Sequence, residues 1–96
     1  MDKEKVLAIL QQFKKEYSQE YHLLSLGVFG SVARDEANSG SDVDIVFETD
    51  QPNLFRTASM KVELENLLSN EVDLIRLREK MDERLKREIQ KEVLYV

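Results

Sequence analysis

Apolar residues along the chain follow two periods, and the two periods predict alternating helices and strands. A spacing of three and four residues is typical of one face of a helix, whereas a short apolar or alternating run is typical of a strand. The helical spacing predicts helices over residues 2–18, 54–69 and 81–93. The short runs predict strands at Leu23–Phe29, Val43–Phe47 and Val72–Leu77.

The segments between these elements carry residues that turn the chain. Ser31–Ala37 follows a glycine and predicts one further, short helix. Residues 38–41, NSGS, are typical of a loop, and Asp50–Asn53 contains the only proline, which predicts a turn. Leu94–Val96 are interpreted as a tail. Helices and strands then alternate from the first helix to the last, and this order predicts an α+β fold in which helices pack on a small β-sheet.

The bulk properties fit one small domain over residues 1–96. Of the 96 residues, 42% are hydrophobic, which allows a single modest core. The chain has no cysteine, no apolar run near the roughly 18 residues of a membrane span, and no signal-peptide layout at its acid-containing start. We therefore expect a soluble cytoplasmic protein with no membrane partner. A chain this short also gains stability from a partner or an oligomer.

Negative charge is concentrated in one part of the sequence. The net charge is −5, and the segment from residue 35 to residue 55 holds six acids and no lysine or arginine. Residues 71–96 hold seven acids and seven bases, which is typical of a solvated helical face. This distribution argues against stable binding of a long nucleic acid, since phosphates would meet uncompensated carboxylates.

Asp42 and Asp44 stand at the start of the second predicted strand, where a strand normally has no charge. Residues i and i+2 share one face of a strand, so these carboxylates would lie about 6 to 7 Å apart and repel each other. Asp73 lies near the start of the next predicted strand, and its carboxylate would face the same site if the two strands pair. Three such carboxylates can hold two hard cations, and oxygen ligands favour Mg²⁺ or Mn²⁺.

Gly30 and Ser31 precede this acidic segment and suit the phosphates that such metals accompany. Glycine lets a backbone approach a ligand closely, and a helix that begins here offers unpaired N–H groups and the Ser31 hydroxyl to phosphate oxygens. Arg34 is the one base near the acidic segment and is a candidate to brace the phosphates.

These residues closely resemble the signature of the minimal nucleotidyltransferase (MNT) group within the DNA polymerase β superfamily. The signature is Gly-Ser, ten intervening residues and Asp-x-Asp, and it reads here as Gly30-Ser31 followed by Asp42-Val43-Asp44. Asp73 stands in the later strand that carries the third acid in that family. The resemblance covers nearly the whole chain and implies the polymerase β-like nucleotidyltransferase fold, with a small mixed β-sheet.

The resemblance also implies a role for each residue. Asp42 and Asp44 would ligate two Mg²⁺ ions, and Asp73 would ligate the catalytic one and help to deprotonate the attacking hydroxyl. Gly30 and Ser31 would hold the β- and γ-phosphates of ATP, the implied substrate. Family members of this size are often antitoxins paired with a HEPN-domain ribonuclease toxin. The implied activity is transfer of AMP to a toxin hydroxyl, which silences the toxin.

Asp35 departs from the family's pattern, which commonly has glycine after the arginine. An acid that pointed into the phosphate path would oppose triphosphate binding. We expect the Asp35 side chain to face solvent instead.

Other interpretations of the same residues remain open. Asp42 and Asp44 also suit a solvated strand entrance, and Arg34 suits an ion pair with Glu36. Two other functions are a non-catalytic antitoxin that acts by complex formation, and nucleotidyl transfer to a small molecule such as an aminoglycoside. The retained set of mutually repelling acids favours the enzyme, and the small size of the domain favours a protein acceptor.

Overall fold

The computed structural model describes residues 2–96 and contains four helices and four strands over that range. The elements are α1 (Lys3–Tyr21), β1 (Leu23–Phe29), α2 (Gly30–Ala33), β2 (Val43–Thr49), α3 (Leu54–Leu68), β3 (Val72–Arg76), α4 (Glu83–Glu92) and β4 (Leu94–Tyr95). All three predicted strands are present, together with the long helices. The predicted short helix is cut to one turn, because the chain enters the left-handed region at Asp35.

The four strands form one mixed sheet in the order β3-β2-β1-β4. β2 and β3 run parallel, with α3 as the crossover that a parallel pair requires, and β1 pairs antiparallel with both of its neighbours. The predicted α+β class with a small mixed sheet is therefore confirmed.

Polar side chains fix where the three long helices begin. The Asp2 carboxylate accepts a hydrogen bond from the Glu4 N–H, Asn53 accepts one from Arg56, and Asp82 accepts one from Leu85. Each bond satisfies a backbone donor that has no partner inside the helix. The last helix consequently starts after Asp82, two residues later than its apolar spacing predicted.

The two faces of the sheet are covered unequally. α1 and α3 pack on one face over the larger core, which includes Leu10, Phe13, Leu26, Ile45 and Leu64. α4 packs on the other face over a smaller core of Phe29, Val46 and Ile89, with partly buried neighbours around it. The second face thus has a smaller core, with α4 as the main helix that covers it. Within residues 2–96, no helix is long and apolar enough to cross a membrane.

Leu94–Tyr95, predicted as a tail, form the edge strand β4, so that prediction was wrong. Leu94 pairs with Val28, Tyr95 pairs with Gly27, and the Val96 N–H donates to the Leu26 carbonyl at 2.9 Å. Gly27 makes the pairing possible, because a Cβ there would lie 2.8 Å from the Leu94 carbonyl oxygen. The sequence did not reveal β4 because a strand of two residues has too few apolar positions to show a recognisable period.

The α3 helix was predicted correctly, but the apolar side chains used to predict it are divided between two faces. Leu54, Ala58 and Val62 are exposed, and the buried face consists of Met60, Leu64 and Leu68. Both sets repeat every four residues, so spacing alone did not distinguish the face that packs on the sheet.

Candidate active site

The parallel pairing of β2 and β3 places Asp44 directly opposite Asp73. Paired residues on neighbouring strands lie about 4.8 Å apart and point to the same face of the sheet. The sequence predicted that these two acids would meet if their strands paired, and that pairing is present. Asp42 precedes β2 by one residue and is exposed, as is Asp73, while Asp44 is half-buried.

Strand alternation separates the acids from the main core, as predicted. Val43 and Ile45 are fully buried under α1 and α3, so Asp44 points to the other face, which Val46 shares. On that face α4 covers Val46, whereas Asp44 lies nearer the end of the sheet. The carboxylate is therefore held on a rigid strand beside a small apolar core.

This position makes the charge on Asp44 unfavourable. Burial, then the charge of Asp73, then that of Asp42 raise the pKa of Asp44 above its ordinary value, and the Arg34 guanidinium opposes part of the effect. A divalent cation among these carboxylates would relieve their repulsion. The oxygen-only donor set fits a hard ion such as Mg²⁺ or Mn²⁺.

The three acids share one end of the sheet without closing around a common point. In the part of the chain that the structure describes, no group of three or more His, Cys, Asp or Glu side chains has the geometry of a metal site.

Gly30 is required for a reason that the sequence did not reveal. Its φ is +73°, in the left-handed region that favours glycine. A Cβ at this position would overlap the Asp44 carboxylate and come within 2.9 Å of its Cγ. Sequence reasoning assigned this glycine to close approach of a phosphate, whereas its first structural effect is to make room for Asp44.

Ser31 and Arg34 lie on the same side of the sheet as Asp44. They line a cavity of about 260 Å³ at the junction of α2, β2 and α4. The cavity is walled by Phe29, Gly30, Ser31, Arg34, Asp44, Glu88 and Glu92. Three predicted nucleotide-binding residues and one predicted metal ligand thus border one space, large enough for part of a nucleotide.

Arg34 is held by two carboxylates. Its Nε donates to Glu36 at 2.6 Å, and its NH1 donates to both oxygens of Glu92 at 2.9 and 3.0 Å. The bonds to Glu36 and then to Glu92 raise the pKa of Arg34. The ion pair with Glu36 was one of the predicted alternatives. Sequence reasoning missed Glu92, although its i, i+4 spacing from Glu88 indicates that the two share a helix face.

Asp35 faces solvent, as expected. Its φ is +59°, which is the left-handed conformation that glycine adopts most easily and that aspartate tolerates better than most residues. The side chain forms an ion pair with Lys3 at 3.1 Å, on the surface. The carboxylate is therefore directed toward Lys3 of α1.

With this geometry established, comparison with known proteins identifies the class. The model of the family described as "Nucleotidyltransferase domain" matches residues 10–96. The chain therefore belongs to the nucleotidyltransferase domain family, and the predicted enzyme class is confirmed. The protein adenylyltransferase MntA of Thermococcus cleftensis is 34% identical over 94 residues, which are 97% of this chain and 94% of that protein.

Solved structures place the chain within that family. A structure assigned to the minimal nucleotidyltransferases is 30% identical, with a TM-score of 0.80 over 98% of this chain and 95% of that one. A structure of a tri-AMPylated Shewanella oneidensis HEPN toxin in complex with an MNT antitoxin contains a chain of the same fold. The TM-score is 0.58 at 20% identity, over 88% of this chain and 70% of that one. The predicted resemblance to the minimal nucleotidyltransferases is confirmed.

Proposed function

We propose that this nucleotidyltransferase transfers AMP from ATP to a hydroxyl of a partner protein, and that the partner is a HEPN-type toxin. The observation that carries the proposal is the register that sets Asp44 opposite Asp73, with Asp42 beside them. Backbone hydrogen bonds of the sheet hold this arrangement, although it is electrostatically unfavourable in the absence of a cation.

Asp42, Asp44 and Asp73 are the residues that would hold two Mg²⁺ ions, with Mn²⁺ as a substitute. Bound there, the ions would neutralise phosphate charge and polarise the reacting oxygens. Of the proposed ligands, Asp44 lies on β2, Asp73 lies on β3 and Asp42 lies just before β2, and residues on strands give a more rigid site than residues on a loop.

Gly30 and Ser31 are the proposed contacts for the β- and γ-phosphates. The Gly30 N–H and the Ser31 hydroxyl border the cavity next to Asp44, so a triphosphate bound there would reach from the turn to the acids. Arg34 borders the same cavity and can neutralise phosphate charge once its guanidinium is released from glutamate.

Asp73 is the proposed group for the attacking hydroxyl. β3 is an edge strand and Asp73 is exposed, so an acceptor can approach from that edge. The hydroxyl oxygen bonds to the α-phosphorus, the bond between that phosphorus and the β-phosphate bridging oxygen breaks, and pyrophosphate leaves. The hydroxyl proton passes to the Asp73 carboxylate, which acts as general base.

A protein acceptor fits this open site better than a small molecule does. The cavity beside Asp44 is lined on its α4 side by carboxylates, and Asp73, the proposed general base, is exposed on the edge strand β3. The relative from Thermococcus cleftensis is named a protein adenylyltransferase, and the Shewanella oneidensis complex contains an AMPylated HEPN toxin. Both names support the proposed acceptor.

The test is the intact mass of a HEPN-domain protein from the same organism after incubation with ATP, Mg²⁺ and this chain. Addition of AMP units by the parent chain, and not by the Asp73→Asn variant, is the expected result. Asp73→Asn should still bind ATP, because a general base matters chiefly in the transition state. Asp50→Asn removes an exposed acid at the far end of β2 and serves as the matched control.

Inhibition of the HEPN protein without any gain in mass would contradict the proposal and support a non-catalytic antitoxin that acts by complex formation. Transfer of AMP to an aminoglycoside, with none to the protein, would support the small-molecule alternative.

A further inference from the structure

Glu92, the last residue of α4, already occupies the donors proposed to bind phosphate. Its carboxylate accepts the Gly30 N–H at 3.2 Å and the Arg34 NH1 at 2.9 and 3.0 Å. The side chain is 20% exposed, so it lies at the wall of the cavity and not in open solvent. An anion from the protein itself therefore sits where the proposed function requires an anion from the substrate.

We infer that Glu92 is an affinity-determining residue that holds the phosphate-binding donors in the free protein and is displaced when the triphosphate binds. This inference rests on the proposed function, because it assigns the identity of the anion that replaces Glu92. It also assigns Arg34 its partner in each state: Glu92 before binding and a phosphate oxygen after it.

Glu92 and a phosphate would compete for the same donors. The Gly30 amide has one hydrogen, which cannot serve Glu92 and a phosphate oxygen equally well. The Arg34 Nε is already engaged with Glu36 at 2.6 Å and its NH1 with Glu92 at 2.9 Å, so a phosphate oxygen that bonded to NH1 would compete with Glu92. A triphosphate that used both groups would take them from the same carboxylate.

The charges also favour departure of Glu92. Its negative charge already raises the pKa of Asp44, and a bound triphosphate would add further negative charge to the same space. A carboxylate at a helix C-terminus is disfavoured by the helix dipole, and Glu92 ends α4. Among the described contacts its hydrogen-bond donors are the Gly30 N–H and the Arg34 NH1, so a rotation of the side chain toward solvent would break no other hydrogen bond.

Glu88 provides a matched control on the same helix face. It lies one turn before Glu92 and lines the same cavity, but it makes no hydrogen bond to Gly30 or Arg34 among the contacts of residues 2–96. Neutralising Glu88 removes the same charge from the same wall without freeing any donor.

The experiment measures the dissociation constants of ATP with Mg²⁺, and of inorganic triphosphate alone, by calorimetry for the parent, Glu92→Gln and Glu88→Gln. We expect Glu92→Gln to bind both ligands about tenfold more tightly, since a neutral amide competes less well for charged donors. Glu88→Gln should gain about twofold or less, which is the effect of one screened surface charge. Glu92→Asp keeps the charge with a shorter reach and should fall between the parent and Glu92→Gln.

Weaker binding by Glu92→Gln would overturn the inference, because it would mean that Glu92 braces the turn for the ligand. Equal gains from Glu88→Gln and Glu92→Gln would also overturn it, since general charge would then account for both. If the parent binds ATP tightly and Glu92→Gln has the same dissociation constant, the inference about Glu92 is refuted but the proposed function is not. Absence of ATP binding in the parent and in every variant would contradict the proposed function instead.

Discussion

Substitution of Gly30 by alanine tests the contact between Gly30 and Asp44 of β2. The new methyl group would meet two penalties. A non-glycine residue at φ +73° costs about 1 to 2 kcal/mol, and overpacking against the Asp44 carboxylate costs about 1 to 3 kcal/mol more. The expected destabilisation is about 2 to 5 kcal/mol, a large part of the roughly 5 to 15 kcal/mol that stabilises a typical domain.

The two penalties can be separated by a double-mutant cycle with Asp44→Ala. Removal of the carboxylate leaves the Asp44 Cβ as the nearest remaining atom of that side chain, 3.2 Å from the new methyl carbon. In this background Gly30→Ala should cost only the backbone term of about 1 to 2 kcal/mol. Urea denaturation followed by circular dichroism gives each free energy of unfolding.

Gly40→Ala is the matched control for the cycle. Gly40 lies in the exposed loop before β2, and the nearest atom to its added Cβ would be 3.4 Å away. We expect a change within about 0.5 kcal/mol. If Gly30→Ala destabilised the Asp44→Ala protein as much as the parent, the proposed overlap with the carboxylate would be refuted.

Two further predictions concern charge and packing. Because burial, Asp73 and Asp42 raise the pKa of Asp44 above 3.8, the folded state holds the proton more tightly than the unfolded state, and stability should fall as the pH rises through that raised pKa. Asp44→Asn should therefore melt higher than the parent at pH 7 without metal, and a gap that did not shrink toward pH 4 would contradict this cause. Leu64→Ala should lower the free energy of unfolding by about 2 to 5 kcal/mol, because Leu64 is fully buried. Val62→Ala should change it by less than about 0.5 kcal/mol, because Val62 is 57% exposed. Similar losses for both variants in urea denaturation would mean that both faces of α3 are packed.

The acids of the site could be predicted from sequence because local rules govern them. Asp44 lies on β2 with its side chain opposite the buried Val43 and Ile45, as strand alternation predicts, and Asp42 lies two residues earlier, just before the strand begins. Asp73 needed one further assumption, that its strand pairs with β2, and the crossover through α3 makes that pairing the expected one. The signature from Gly30 to Asp44 spans only fifteen residues, so it can be recognised from a short segment of sequence.

The contacts that escaped prediction join residues far apart in the chain. Glu92 meets Gly30 and Arg34 across about sixty positions, and nothing in the sequence near Glu92 distinguishes it from the other acids of α4. The reason for Gly30 was missed on the same grounds, because the atom that excludes a Cβ belongs to another strand. Such contacts depend on how α4 and β2 pack in the folded domain. The spacing of hydrophobic residues along the chain does not determine that packing.

The pairing of β4 with β1 also has a consequence for the order in which the molecule is made. β1 lies inside the sheet, yet one of its two neighbours is supplied by Leu94 and Tyr95. At about 5 to 20 residues per second, on the order of ten seconds of translation separate the synthesis of Val28 from that of Leu94. During that interval one edge of β1 has no partner strand and Glu92 has not yet reached Arg34. A newly made chain therefore passes through a stage in which the three acids are present but Gly30 and Arg34 lack their contact with Glu92, and its sheet is completed only after β4 has been added.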